Sequence, residues 1–232
     1  MKKLEVIALA SALMAVMAPA SYGRTNRSHL RSCAPRAEVA VLASNAHAQV
    51  YERLSGERRA GLYGCLRRGG RTIYLGEGRS YEGTDCLRKE EGRCVRASSQ
   101  ILAGSTVAYL ASPVELGYTQ EQAVVVRSIA TGRVLHRVTI HVRTIHRTML
   151  EWATALQIVV TPGGAIAWIQ EDSFARHGGA PAPPRAYSVF AVDRDGFRVL
   201  TPELPTLPRA LTLTGSVLSW TNEATQESSV LN

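Results

Sequence analysis

Three short stretches decide how this chain is read: GSTVAY at Gly104–Tyr109, GGAIAW at Gly163–Trp168 and GSVLSW at Gly215–Trp220. Each has a Gly five residues before an aromatic. A β-branched residue or Leu stands two before the aromatic, and Ala or Ser one before it. An apolar run precedes each Gly: Ile101-Leu102, Ile158-Val159-Val160, and Leu211 with Leu213. Physically this is strand, tight turn, strand. The Gly supplies the positive φ that a hairpin turn demands, and the alternation behind it lets one face be buried.

A second pattern follows the first two copies. VVVRSIATGRVLHRV at 124–138 and SVFAVDRDGFRVL at 188–200 are hairpins with x-Gly at the turn, as is the earlier LYGCLRRGGRTIYL at 62–75. Alignment on Gly70, Gly132 and Gly196 puts Ile73, Leu135 and Val199 in register. The two patterns together predict an antiparallel four-stranded unit recurring every 40 to 60 residues or so, within the range of propeller blades. The expected units are Val39–Gly76 (opening hairpin degraded around Asn45 and His47), Arg96–Val138, Leu156–Leu200 and Arg209–Asn232. The last has room for three strands, so Glu38–Ala43 is expected to close it and cover a sheet edge.

This strand grammar resembles that of β-propeller proteins, broadly of the TolB and WD40-like kind, and of exported bacterial strand-repeat proteins. The resemblance spans most of the chain beyond its N-terminus. It implies an all-β fold, a small or incomplete propeller of about four blades. The Gly-His and Trp-Asp signatures of WD40 blades are absent, and the alternative architecture is an irregular β-sandwich. The resemblance implies no activity.

The N-terminus predicts export. Lys2 and Lys3 precede an apolar run, Val6–Met17, and Ala18-Pro19-Ala20 fits a small-x-small cleavage site. The run is too short for the ~20 residues that span a bilayer, and no later segment is long and apolar enough. Residues 1–20 are therefore expected to be a signal peptide, 21–32 a polar arm, and 33–232 one domain. Four cysteines, Cys33, Cys65, Cys86 and Cys94, suit an oxidising compartment, either extracellular or periplasmic. Three connectivities are open. The short Cys86–Cys94 loop closes easily, which leaves Cys33 with Cys65.

The chain carries a net charge of +8. Its basic residues are 24 Arg and three Lys, and they look dispersed, with adjacent pairs only at Arg58-Arg59 and Arg67-Arg68. Nucleic acid is not an expected partner, because that footprint requires clustering. An anionic envelope polymer or an extracellular protein is the partner class that remains.

No catalytic, cofactor or metal residue is predicted. His136, His141 and His146 are spaced by five, which gathers three ligands on neither a strand nor a helix. Asp193-Arg194-Asp195-Gly196 has the start of a calcium loop but lacks its closing Glu, so it reads as a hairpin turn. Glu171-Asp172 would point to opposite faces of a strand and is read as solubilising a loop mouth. The Glu171–Ala186 stretch that it opens is read as a loop. There is no G-x-S-x-G elbow. Tyr109, Trp168 and Trp220 are expected in the core rather than on a sugar-stacking platform. Thr144–Leu156 has content suited to a helical turn. The leading expectation is an exported, non-enzymatic binding or scaffold module. An extracellular hydrolase or lactonase-like propeller enzyme and an Arg-mediated polymer binder are the alternatives.

Overall fold

The computed structural model describes residues 33, 39–54, 60–78, 88–90, 93–114, 121–141, 149–176 and 185–232. Among these the protein is all-β and contains no helix. The first unit comprises β1 (Val39–Ser44), β2 (Ala48–Leu54), β3 (Ala60–Leu66) and β4 (Thr72–Glu77). A short β5 (Lys89–Glu90) leads to the second: β6 (Arg93–Ala103), β7 (Thr106–Pro113), β8 (Glu121–Ser128) and β9 (Val134–His141). The third is β10 (Met149–Val160), β11 (Ile166–Arg176), β12 (Ala186–Asp193) and β13 (Gly196–Leu204). The fourth has three strands: β14 (Arg209–Thr214), β15 (Val217–Asn222) and β16 (Thr225–Val230). Within every unit, sequential strands pair antiparallel. A single parallel bridge, Glu77 with Arg96, joins the first two units into one nine-stranded sheet that includes β5. The sheets do not close into a barrel.

The strand alternation explains how the units stack. On β7, Val107, Tyr109 and Ala111 face one way and Ala108 and Leu110 the other, and all five are buried. The first set packs with Val50, Leu62 and Leu75 of the first unit. The second packs with Ile158, Ile166 and Trp168 of the third unit. Ala167, Ile169 and Val189, on the opposite face of the third unit, meet Leu211, Leu218 and Trp220 of the fourth. Inner units are thus apolar on both faces, which is why their strands read as nearly continuous apolar runs. Tyr109, Trp168 and Trp220 hold equivalent places: each faces the preceding unit and is at most 3% exposed.

The turns follow the Gly pattern, with one displacement. Gly104 (φ 55°) and Gly215 (φ 62°) take the left-handed position. In the third unit the connection is longer, and Gly164 (φ 102°) holds that position instead of Gly163.

Three expectations are corrected. Val39–Ser44 does not close the last unit. It pairs with β2 from Val39↔Arg53 to Ser44↔Gln49, because Asn45 Oδ1 accepts from the N–H groups of His47 and Ala48 and turns the chain back on itself. The described part of Thr144–Leu156, whose content suits a helical turn, is strand. Residues 149–160 pair with β11 along their length, and Ala153 and Ala155 alternate into the core, so tertiary pairing overrides the local preference. Residues 144–148 lie outside the described residues. Finally, Glu171-Asp172 sits within β11, which runs on to Arg176, where a loop was expected. The Pro-rich stretch 177–184 lies outside the described residues.

The opening strand of every unit is bulged, a feature with no common residue type behind it. The irregularities fall at Val41/Ala43, Ser98/Ile101, Ala155/Gln157 and Arg209/Thr212. Ser99 (φ 52°) and Ala210 (φ 54°) take left-handed backbone there. Such bulges bend a strand and raise its twist.

Candidate functional site

The strand directions give the stack two unlike ends. One carries the turns β1–β2, β3–β4, β6–β7, β8–β9, β10–β11, β12–β13 and β14–β15, of which the longest runs five residues, 67–71 for example. This turn end is stapled from unit to unit. Asn45 Nδ2 donates to Gly104 O (3.0 Å), Thr106 Oγ1 to Pro162 O (2.8 Å), and Arg71 Nη2 to Thr131 O (2.8 Å). The opposite end receives the longer connections, 78–88, 114–120, 142–148 and 177–185.

A buried polar group marks this loop end where the first two units meet. Glu77 is fully buried and accepts from the Tyr74 hydroxyl (2.5 Å). Glu52 is 7% exposed. Its carboxylate lies so close over Gly78 that a Cβ there would sit 2.0 Å from Oε1. Arg127 of the second unit reaches across and donates to Tyr74 O (2.9 Å). The Arg88 guanidinium lies 5.6 Å from the Tyr74 ring centroid, close enough for a cation–π contact. Two carboxylates, a phenol and two guanidiniums can fix strand ends and connections through charge-assisted bonds. Nothing in the sequence singled out Glu52 or Glu77, since they are 25 residues apart and come to the same end of one sheet only through the pairing of β2, β3 and β4.

Beside this group, Gly76 has φ 152°, and a Cβ on it would stand 2.7 Å from Val95 O and 3.2 Å from Ala97 Cβ. Both obstacles are fixed parts of β6. Gly76→Ala is therefore expected to cost about 2 to 3 kcal/mol from backbone strain and clash, read as a lowered midpoint in urea with unchanged slope. Gly69→Ala is the comparison, because its Cβ meets nothing within 4 Å and only the φ penalty remains.

The residues singled out from sequence are dispersed by the fold. Cys33 and Cys65 form a disulfide with Cα atoms 5.6 Å apart. Cys94 is also disulfide-bonded, and Cys86 lies outside the described residues. His136 stands in β9 opposite Val126, and His141 ends that strand. His146 lies outside the described residues. Among the described residues, no three His, Cys, Asp or Glu are grouped to hold a metal ion. Glu171 and Asp172 are engaged on opposite faces of β11, Glu171 by the Ser173 hydroxyl (2.5 Å) and Asp172 by Gln170 Nε2 (2.8 Å).

Asp193 turns out to be a clamp between units. Its Oδ1 accepts from Asp195 N (2.9 Å), closing the β12–β13 turn, and its Oδ2 accepts from Asn232 N (3.1 Å) and from Arg198 Nη2. Asn232 Nδ2 in turn donates to Asp195 Oδ2 (2.7 Å). Burial alone would raise the Asp193 pKa. The N–H groups of Asn232 and Asp195 and the Arg198 guanidinium more than offset it and hold the carboxyl below its ordinary value. A depressed folded-state pKa means the stabilisation is complete above the ordinary carboxylate range and is lost as pH falls through the folded value. Asp193→Ala should cost about 2 kcal/mol at neutral pH by leaving these donors unpaired. The gap from wild type should stay flat from pH 8 to 5 and narrow below about pH 4, as measured by denaturant unfolding at each pH.

No protein-family model matches this chain, and no curated protein does. Among solved structures, it is similar to a chain from the study titled "Structural and Mechanistic Analysis of Two Prolyl Endopeptidases: Role of Inter-Domain Dynamics in Catalysis and Specificity". The match has 14% identity and a TM-score of 0.32, and covers 82% of this chain and 40% of that one. This chain thus spans about two fifths of that protein's length. So loose a superposition carries no argument about fold or activity. The class that stands is an all-β, disulfide-bonded protein of stacked antiparallel units.

Proposed function

We propose that the chain is an exported, non-enzymatic binding or scaffold module whose units are the blades of an incomplete, propeller-like stack. The observation that carries this reading is the contrast between the two ends: short turns stapled across units at one, the longest connections at the other. A rigid frame that gathers its long loops at one end is the usual way to present a binding surface. The succession β1, β6, β10, β14, in which neighbours pack against one another, supports the blade reading, since inner strands of blades adjoin in that way. The Lys2-Lys3 and Val6–Ala20 pattern supports export, and the disulfides agree with it.

The chain from Ser21 should bind a member of a glycan and peptide array. That binding should disappear when 177–184 is replaced by a two-residue Asn-Gly turn, with the melting temperature changed by less than a few degrees. Turnover on a panel of ester, lactone, glycoside and peptide substrates would overturn the reading in favour of a hydrolase.

A further inference from the structure

The arginines that look scattered in the sequence are gathered by the fold at the turn end of the first two units. Arg67, Arg68 and Arg71 occupy the β3–β4 turn, and Arg133 follows the β8–β9 turn; all four are exposed. Arg71 Nη2 bonds Thr131 O at 2.8 Å, which brings the two turns together although 60 residues separate them. Arg67 Nε donates to Asn45 O (2.8 Å) and its Nη2 to Ser44 Oγ (2.5 Å), so the β1–β2 turn, with exposed His47, joins the same surface.

Two features distinguish this surface from an ordinary solvated one. First, Arg67 and Arg71 are held by neutral carbonyl and hydroxyl oxygens, so their geometry is fixed while their charge is not cancelled. Second, charge is segregated along the strands. The described acidic residues of these two units, Glu52, Glu77, Glu90 and Glu121, all occupy strand positions toward the loop end. The stretches 60–76 and 122–141 hold six Arg and no acidic residue. Among the described residues neither Arg68 nor Arg133 has a carboxylate partner. Like charges on adjoining turns reinforce one another over about a Debye length, ~8 Å at physiological salt. Each guanidinium keeps free N–H donors in the fork that matches sulfate and carboxylate groups.

We propose that this face, formed by the β1–β2, β3–β4 and β8–β9 turns, binds an anionic polysaccharide, with Arg68 and Arg133 as the free contacts and Arg67 and Arg71 as the pinned ones. A polysaccharide is favoured over nucleic acid by the export and disulfide features, because a secreted chain meets acidic glycans first. The surface lies at the opposite end from the long loops, so the proposal does not depend on what the loops bind.

The test uses the oxidised chain from Ser21 and fluorescence anisotropy with a labelled heparin oligosaccharide, with polygalacturonate as a carboxylate-only competitor. Binding is expected at 50 mM salt, with at least a tenfold loss by 200 mM. Polygalacturonate should compete. Arg68→Glu with Arg133→Glu should weaken binding at least tenfold without lowering the melting temperature, since neither side chain holds a partner among the described residues. Arg209→Glu, an exposed arginine at the loop end of the fourth unit, should change it less than twofold. The proposal is overturned by no binding at 50 mM salt, by failure of polygalacturonate to compete, by an undiminished double variant, or by an equal loss in Arg209→Glu. Tenfold tighter binding of a 12-base-pair DNA duplex than of heparin would overturn the choice of polysaccharide.

Discussion

Trp168→Ala is expected to lower stability by about 3 to 5 kcal/mol, the range for emptying a buried aromatic site, with a fall in melting temperature of roughly 8 to 15 °C. Trp168 is 1% exposed and lies in the cluster between the second and third units. Its ring stacks on Phe190 with centroids 5.4 Å apart, and Phe190 in turn stacks on Phe197 at 5.5 Å. The far end of that row is open, with Phe197 54% exposed. Phe197→Ala should therefore cost less than about 1 kcal/mol, since little area leaves the core. A finer contrast separates volume from polarity. Trp168 Nε1 is buried without a hydrogen-bond partner among the described residues. Trp168→Phe loses no bond and should retain most of the stability, costing about 1 to 2 kcal/mol for the smaller ring. Differential scanning calorimetry on the three variants checks the order. If Trp168→Ala and Phe197→Ala cost the same, the unit–unit cluster is not what holds the stack together.

How much of this was legible in the sequence depends on the range of the interaction. A hairpin is a local object, so Gly104 or Gly196 with alternation around it announces the turn, and three equivalent aromatics announce three equivalent environments. The stretch around Thr144–Leu156, whose content also suits a helical turn, shows the limit of local reasoning. Ala153, Thr154 and Ala155 suit a helical turn by content, yet β11 offers partners along the whole of 149–160 and the pairing prevails. The loop-end group was invisible for a related reason. Glu52 and Glu77 look like ordinary solvent-facing strand residues until Gly76 and Gly78 let the backbones and a carboxylate approach closely. The nearness of the β3–β4 and β8–β9 turns is likewise illegible along the chain, since the Arg71–Thr131 contact joins residues 60 apart. Bulges at Ser99, Leu156 and Ala210 left no trace at all, since the three residues are unlike and no turn-forming type marks them.

Removal of the first disulfide by Cys33→Ala with Cys65→Ala is expected to cost about 3 to 4 kcal/mol from chain entropy alone, for a link spanning 32 residues. Its position suggests that it does more than tether. Tyr109, Trp168 and Trp220 each pack on a preceding unit, whereas Tyr51 occupies the corresponding place on the first unit, which has no unit before it among the described residues. Cys33 and Cys65 cover that ring instead, and Tyr51 is 4% exposed. Tyr51, Tyr63 and Tyr74 continue as a row across three strands, with centroids 5.7 and 5.5 Å apart. Burial, reinforced by Tyr63, pushes the Tyr51 phenol above its ordinary value against smaller opposing contributions from Thr72 and Arg53. A raised folded-state pKa here means that the neutral phenol is favoured by the fold, so stability is lost as pH rises through that value. Uncovering the ring should return the phenol toward about pH 10, seen as an earlier absorbance rise at 295 nm in a pH titration of the still-folded variant. Loss of stability together with that earlier titration marks the disulfide as the cover of an otherwise open unit face. Loss of stability with an unchanged titration would leave it a tether only, with Tyr51 shielded by its neighbours on the sheet.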